Sequence, residues 1–374
     1  MLQVAIIGGG LVGASLAYRL LRHGVRVTVI DRQDLGQATS AGAGILPPLD
    51  HFIGIEAMLP LLREARGYYP ELLAALEEDG EADTGYDVVG ALHVATTSAE
   101  CARLIELAHE AERWRASGFA HIGTLTELDG SGARSQFPLL SRSVMRALYA
   151  SGAARIDARR LLAALRRAVI KRGGQWEKGN AELCLGSGRV AGVRWGDREV
   201  HADAVVVAAG AWASSVAERV GLRLPVHPQR GQLVHLDVPD ASTERWPTVL
   251  GFGTHYLLCF GPHRVIAGAT REDTSGFDAR VTAGSVNGVL EAALRLAPGL
   301  ARATLAETRV GFRPVCADGK PVLGPSPGFP NLYFATGHGG YGLEVGPYSG
   351  ALIADLLVSK ATPIDLAPFA VGRF

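Results

Sequence analysis

Residues 3–32 constrain this chain more than any other stretch. Val4, Ala5, Ile6 and Ile7 form a short apolar run that stops at Gly8-Gly9-Gly10, and Gly13 follows at the head of a helix-like pattern. Val25, Val27, Val29 and Ile30 form a second β-branched run ending on Asp31. The spacing predicts strand, tight turn, helix and strand, a complete βαβ unit opening with G-x-G-x-x-G at Gly8, Gly10 and Gly13. In such a unit the first glycine permits the turn, the second lets the backbone approach a pyrophosphate, and the third lets helix and strand pack closely. The pyrophosphate is expected on the helix N-terminus, beside Leu11 and Val12. Asp31, followed by Arg32, stands where a carboxylate accepts hydrogen bonds from ribose hydroxyls and repels the extra phosphate of NADP.

A chain of 374 residues, 48% hydrophobic, has room for two or three globular domains. Its 37 basic and 37 acidic residues cancel, so nothing favours nucleic acid or another polyanion, and small neutral or zwitterionic ligands fit better. Cys101, Cys184, Cys259 and Cys316 are scattered and form no CxxC pair, which suggests neither a disulfide framework nor a zinc site and makes a reducing cytoplasm the simplest home. Val4 to Leu21 is largely apolar, yet no basic segment precedes it and glycines interrupt it, unlike a signal peptide. No apolar run reaches the roughly eighteen residues of a membrane span.

After Asp31 comes a run of small residues, Gln37-Ala38-Thr39-Ser40-Ala41-Gly42-Ala43-Gly44-Ile45-Leu46-Pro47. It has too little bulk to pack as a helix and suits a loop lying against a flat polar ring, with Ala43, Gly44 and Ile45 at the ring and Thr39 and Ser40 holding phosphate oxygens. The acid-ended βαβ unit followed by A-T-S-x-x-x-G-I-L-P resembles the D-amino-acid oxidase-like FAD enzymes, especially their glycine oxidase and sarcosine oxidase branches. The resemblance implies FAD rather than NAD. Members that attach flavin through histidine carry it within this loop, where the chain has only small residues.

Further along, Met58 to Glu78 and Ala99 to Ser117 are expected helices, with Leu104, Leu107, Ala108 and Ala111 marking an apolar face, and Val88 to Ala95 is an expected strand between them. His51, His93, His109 and His121 lack metal-ligand spacing and are expected in surface or packing roles. Asp157 is the expected N-cap of an amphipathic helix with Leu161, Leu162, Leu165 and Val169 on one face, ended by Gly173-Gly174. Gly186-Ser187-Gly188-Arg189-Val190-Ala191 fits G-x-G-x-x-A, but it separates two alternating strands, the first beginning at Ala181, and no helix follows; it reads as a hairpin turn.

Asp203 to Ala208 is a buried parallel-type strand running into Ala209, Gly210 and Trp212. In the resembling family this strand returns to the nucleotide domain and its glycine passes near the flavin. Pro228-Gln229-Arg230-Gly231-Gln232 resembles the family's P-x-x-G-Q crossing into the substrate domain, and Tyr256 matches a tyrosine that helps bind the substrate carboxylate. On sequence alone Tyr256 is equally a cross-strand packing residue.

The last seventy residues carry the expected chemistry. Gly311-Phe312-Arg313-Pro314 with Asp318-Gly319-Lys320-Pro321-Val322-Leu323-Gly324 resembles the family's G-x-R-P-x-x-x-D-G-x-P-x-x-G. A guanidinium fork matches carboxylate geometry and stays charged, so Arg313 is the expected substrate clamp; its structural alternative is an ion pair with Asp318. The cysteine used for covalent flavin in sarcosine oxidases aligns with Gly311, and Cys316 is out of register, so the resemblance implies dissociable FAD. His338, Gly339, Gly340, Tyr341, Gly342 and Leu343 form a glycine-rich turn into a helix with Pro347 near its first turn, and that N-terminus suits the anionic side of a reduced flavin. Glu344 replaces an apolar residue of the family pattern G-H-x-x-x-G-I-x-x-A-P.

These readings converge on an α/β fold: a discontinuous Rossmann-type FAD-binding domain (residues 1–50, 140–225 and 305–374) with an inserted α+β substrate domain (51–139 and 226–304). The implied enzyme takes hydride from the Cα of a small amine or amino acid. Electrons then pass to O2, giving hydrogen peroxide; the alternative is a dehydrogenase of D-amino or 2-hydroxy acids that passes them to a quinone or other carrier. A homo-oligomer is compatible with this reading.

Overall fold

A computed structural model describes residues 1–47, 56–186 and 188–374. The N-terminal unit is β1 (Gln3–Ile7), α1 (Leu11–Arg22) and β2 (Arg26–Asp31). A single helical turn, α2 (Ala38–Ala41), and a short strand, β3 (Ile45–Leu46), follow. Then come α3 (Leu59–Glu78), β4 (Asp87–Val88), β5 (Ala91–Ala95), α4 (Ser98–Ala116), β6 (Leu125–Asp129), α5 (Gly130–Gln136), β7 (Arg146–Ala150) and β8 (Ala154–Arg155). The middle of the chain holds α6 (Ala158–Lys171), β9 (Gln175–Lys178), β10 (Glu182–Gly186), β11 (Arg189–Trp195), β12 (Arg198–His201), β13 (Ala204–Val207) and α7 (Ala213–Glu218). The C-terminal third holds β14 (Val226–Asp237), β15 (Thr248–Leu250), β16 (Tyr256–Phe260), β17 (Arg264–Gly268), α8 (Ala283–Leu296), β18 (Thr304–Cys316), β19 (Val322–Pro325), β20 (Leu332–Thr336) and α9 (Gly342–Leu357).

β1 is apolar on both faces because it lies inside a six-stranded sheet of order β19-β20-β13-β1-β2-β9, parallel except at the β19 edge. Val4 to Ile7 pair with Ala204 to Val207 on one side, and Gln3 to Ile7 pair with Arg26 to Ile30 on the other. The chain therefore leaves β1 between two neighbours reached by different crossovers, and such a switch point opens a crevice at the strands' carboxyl ends. Helices α1, α3, α6 and α9 cover one face, with Leu16, Leu20, Leu61, Leu165 and Leu352 almost fully buried.

The second sheet has eight strands in the order β18-β14-β17-β16-β15-β5-β7-β6. Its longest ladder, β14 against β18, runs from Val226↔Cys316 to Asp237↔Thr304. Val226 and Cys316 belong to the core of the first sheet, and Val234 and Leu236 to that of the second, so this ribbon ties the two together. At its middle two glycines face each other, Gly231↔Gly311.

Several expectations change. The 37–47 run contains a helical turn, since Ser40 N bonds the Gln37 carbonyl at 3.1 Å and Gly42 N that of Thr39 at 3.3 Å. The strand expected over Val88 to Ala95 is broken at Gly90, whose φ of +77° turns the backbone where the amides of Val89 and Gly90 both bond the Ala153 carbonyl. β7 and β18, far apart in the chain, both belong to the eight-stranded sheet, because ladder partners rather than chain neighbours place a strand. The G-x-G-x-x-A segment is the turn between the antiparallel β10 and β11, with Ser187 outside the described residues. Asp157 caps α6, accepting from the amides of Arg159 and Arg160 at 3.0 and 3.1 Å. His51 lies outside the described residues; His93 is buried, His109 exposed, and His121 packs on Phe119. Among the described residues no cluster of His, Cys, Asp or Glu is placed to hold a metal, and no helix is long and apolar enough to cross a membrane.

Candidate active site

A cavity of about 500 Å³ begins at the crevice beside β1 and runs to the β14–β18 ribbon, within the volume range of about 300–1,000 Å³ typical of ligand pockets. At the crevice the wall is mostly main chain. Gly8 has φ +107°, and a Cβ there would stand 2.4 Å from the Ala208 carbonyl oxygen. A Cβ on Gly13 would stand 2.0 Å from the Gly8 carbonyl, so Gly13 sits behind the turn and fixes how closely α1 meets it. Gly10, Leu11 and Val12 face the cavity, and Thr39 Oγ1 accepts the Leu11 amide at 3.1 Å.

Asp31 is buried on the wall, and its carboxylate already accepts the Gly9 amide, the Gln33 amide at 2.6 Å and the Gln37 side chain at 2.8 Å. It thus ties the glycine turn to the chain leaving β2, a role that spacing alone did not suggest. Arg32 bonds Asp34 at 2.6 Å and lies 5.9 Å from the Trp212 ring, which Phe277 stacks upon at 5.0 Å. Ala181, Ala209, Gly210 and Trp212 line this region.

Ala43, Gly44 and Ile45 line the middle of the cavity, but Ser40 does not. Its hydroxyl donates to the Gln37 carbonyl at 2.8 Å, closing its own helical turn, and so is not free to hold a phosphate oxygen.

His338, Gly339, Gly340, Gly342 and Leu343 form the opposite wall, whereas Tyr341 packs against the core behind it. His338 is buried with no hydrogen-bond partner at Nε2, and burial pushes its pKa down to about 4, so the ring is neutral at pH 7. α9 begins at Gly342, which puts Pro347 in its second turn rather than its first. A proline there cannot donate to the Leu343 carbonyl four residues back. The buried Tyr69 hydroxyl of α3 donates to that carbonyl instead. Glu344 points away from the cavity and meets Arg66 of α3 at 2.8 Å, with both side chains about 5% exposed. The departure at Glu344 therefore belongs to the α3–α9 contact and not to the cavity wall.

At the far end the wall is side chain. Arg313 Nη1 donates to the Thr270 carbonyl at 3.0 Å and to Gln229 Oε1 at 3.4 Å. Gly231 makes room for it, since a Cβ there would stand 2.6 Å from its Nη1, whereas Gly311 makes room for α2, a Cβ there standing 2.6 Å from Ala41 Cβ. Asp318 pairs instead with Arg373 at 2.9 Å and with Lys320 at 3.5 Å, which removes the ion-pair alternative for Arg313. Among the described residues Arg313 has no carboxylate partner, and burial draws its basicity below the usual guanidinium range despite the opposing pull of Tyr256. Tyr256 lines the same end opposite Gly268, and burial raises its phenol pKa against the field of Arg313 and Arg271, so it is a neutral hydroxyl at pH 7. Cys316 is buried in the core of the first sheet and does not reach the wall. Arg271 also lines this end. No sequence signal separated it from the other 36 basic residues.

The wall can seat a long ligand: an acid and a ring platform at one end, helix amides in the middle, a neutral imidazole and a helix N-terminus beyond, and a guanidinium last. A family model described as FAD dependent oxidoreductase matches residues 3–356. The chain is 41% identical to an uncharacterised oxidoreductase of Bacillus subtilis, covering 99% of this chain and 98% of that protein. It is 33% identical to the glycine oxidase of Geobacillus kaustophilus, covering 99% and 97%. The crystal structure of an iminodiacetate oxidase from Chelativorans sp. BNC1 superposes with a TM-score of 0.92 at 40% identity, covering 98% of each chain.

Proposed function

The chain belongs to the FAD-dependent oxidoreductase family, and its relatives include a glycine oxidase and an iminodiacetate oxidase; on that premise we propose that it oxidises a small amino or imino acid at the carbon next to the carboxylate. The observation that carries this is Arg313, a largely buried guanidinium at the cavity's end that has no carboxylate ion-pair partner among the described residues. An unpaired buried charge is costly, and a ligand carboxylate meets it with bidentate hydrogen bonds.

In this reading Gly8, Gly10, Leu11, Val12 and Gly13 shape the seat for the pyrophosphate, Asp31 and Arg32 hold the adenosine end, and Ala43 to Ile45 with His338, Gly339, Gly340, Gly342 and Leu343 flank the ring. Thr39 closes the middle, and Ala181, Ala209, Gly210 and Trp212 close the adenosine side. FAD, bound without a covalent link, would supply a two-electron acceptor for the hydride from Cα, with O2 as the final oxidant and hydrogen peroxide as its product. The substrate amine loses a proton as the C=N bond forms, and water then adds to the imine carbon and releases oxo acid and ammonia or amine. Arg313 fixes the carboxylate, and the neutral Tyr256 hydroxyl donates a second hydrogen bond to it. Together they hold the Cα–H close to its acceptor, where reacting atoms need about 3 to 3.5 Å. No general base is required of the protein, because the substrate nitrogen's own lone pair drives hydride departure once it is deprotonated.

The test is an anaerobic bleaching screen of purified holoenzyme against amino acids, N-methyl amino acids and 2-hydroxy acids, followed by peroxide measurement in air. Bleaching by amino or imino acids with one peroxide per substrate is the expected result. Bleaching by hydroxy acids alone refutes the proposed substrate class, and turnover on a quinone with no peroxide refutes the proposed acceptor.

A further inference from the structure

Arg271 is a cation on the cavity wall that neither the FAD seat nor the Arg313 clamp uses. This residue follows β17 on the segment 270–273, which is pinned on either side of it. The Thr270 carbonyl accepts from Arg313 and its hydroxyl donates to Glu272 at 2.7 Å. Glu272 and Arg230 exchange backbone hydrogen bonds, each of 3.0 Å. The position of Arg271 on the wall is therefore set by hydrogen-bonded neighbours even though its own side chain reaches solvent.

The two acids next to Arg271 are committed elsewhere. Glu272 accepts from Arg230 at 2.6 and 3.0 Å, from Gln232 at 2.8 Å and from Ser285 at 3.1 Å. Asp273 accepts from Gln229 at 2.7 Å. Neither pairs with Arg271, and among the described residues no carboxylate lies within ion-pair range of it. Nor, among the described residues, does any acid line this end of the cavity; the acids that do line it, Asp31, Asp34 and Glu182, stand at the other end. Arg271 acts electrostatically on both Arg313 and Tyr256. Two guanidiniums thus converge on one small space, with the nearby Asp273 turned to Gln229.

One substrate carboxylate is matched by Arg313 alone, so a second cation on the same wall is explained by a second anionic group. We propose that the preferred substrate is a small amino or imino acid carrying two carboxylates, of which Arg313 holds the one beside the reacting carbon and Arg271 the distal one. This rests on the reading of the cavity as an amino- or imino-acid oxidation site and narrows it to a dicarboxylate. The chemistry at the reacting carbon is unchanged: hydride to FAD, a proton from nitrogen to solvent, and hydrolysis of the imine.

The test compares matched substrates that differ by one carboxylate, N-methylglycine with N-(carboxymethyl)glycine and D-alanine with D-aspartate, on the holoenzyme. The diacid should have the higher kcat/KM in at least one pair. In Arg271→Gln the diacid-to-monoacid ratio of kcat/KM should fall about ten- to a hundredfold, the range expected for a hydrogen bond to a charged group, mainly through KM. Arg271→Lys should restore part of the ratio, and the fall should survive moderate salt. An equal loss for both members of a pair, or a ratio that salt alone abolishes, makes Arg271 a steering charge and overturns the proposal. Turnover of N-methylglycine or D-alanine with no preference for either diacid overturns it while leaving the proposed function standing. If no amino or imino acid bleaches the flavin, both fall together.

Discussion

Around Gly8 and Gly10 the cavity wall is main chain, packed so closely that a methyl group at Gly8 would stand 2.4 Å from the Ala208 carbonyl oxygen, whereas around Arg313 it is side chain carried on strands far apart in sequence. The polar groups differ as well. Asp31 accepts three protein donors before any ligand arrives, while Arg313 and Arg271 have no carboxylate partner among the described residues. A wall that must hold one cofactor gains from being self-satisfied and rigid. A wall that must grip and release a charged substrate keeps its charge for the substrate, at some cost to the folded chain. The comparison therefore separates changes that damage folding and cofactor retention from changes that damage recognition.

The largest effect is expected behind the main-chain wall. Glu344→Ala leaves Arg66 charged and buried without its partner, which costs about 3–5 kcal/mol, while the double change Arg66→Met with Glu344→Leu should recover most of it. Denaturant unfolding of the holoenzyme measures both, and a loss below about 1 kcal/mol for Glu344→Ala would show the pair to be solvated rather than buried.

Next comes Gly8→Ala. Overpacking against Ala208 costs about 1–3 kcal/mol and the left-handed φ about 1–2 more, so the variant should purify poorly and largely free of FAD. A stable yellow Gly8→Ala enzyme would mean that the turn can relax and that the first wall is less rigid than drawn.

Arg313→Ala probes the other wall. Loss of a hydrogen bond to a charged group, about 1.5–3 kcal/mol, should lower kcat/KM at least roughly tenfold while FAD stays bound and the unfolding midpoint barely moves. Arg313→Lys should recover only part, because an ammonium lacks the fork. An amine without a carboxylate should be nearly indifferent to either change, and equal losses on such an amine would remove the clamp assignment.

The smallest effect is expected from acid. Burial raises the pKa of Glu272, but hydrogen bonds from Arg230, Thr270, Gln232 and Ser285 outweigh it and hold the pKa down to about 2. A folded pKa below the unfolded value contributes stability that is complete above the ordinary glutamate range near 4.5 and is lost as pH falls toward about 2. The segment carrying Arg271 should loosen in that window, seen as faster proteolysis around residues 270–282, and Glu272→Gln should flatten this pH dependence. Identical acid profiles for the two proteins would detach Glu272 from the segment's stability.

Much of the fold was legible because it is written in local periodicity. The apolar run of β1, the glycine turn, the β-branched β2 and the amphipathic α6 with its Asp157 cap each follow from residues within about one element of each other. The hairpin that imitates a dinucleotide turn was separable for the same reason, since strand alternation continued on its far side. Arg313 was legible only through a resemblance, because a lone arginine on a strand does not announce what it faces.

What the tertiary structure decided are the features that depend on partners distant in the chain. That 37–47 holds a helical turn, that Ser40 spends its hydroxyl there, and that Pro347 is tolerated because Tyr69 serves the carbonyl it abandons are set by packing across elements. So are the seating of Arg313 by Gly231, the turning of Glu344 toward Arg66, and the commitment of Glu272 and Asp273 that leaves Arg271 without a counter-ion among the described residues. The physical division is one of range. Backbone propensity and side-chain periodicity act over a few residues and are readable in order, whereas the charge left over at a site is the difference among many contacts that exist only once the sheets have met.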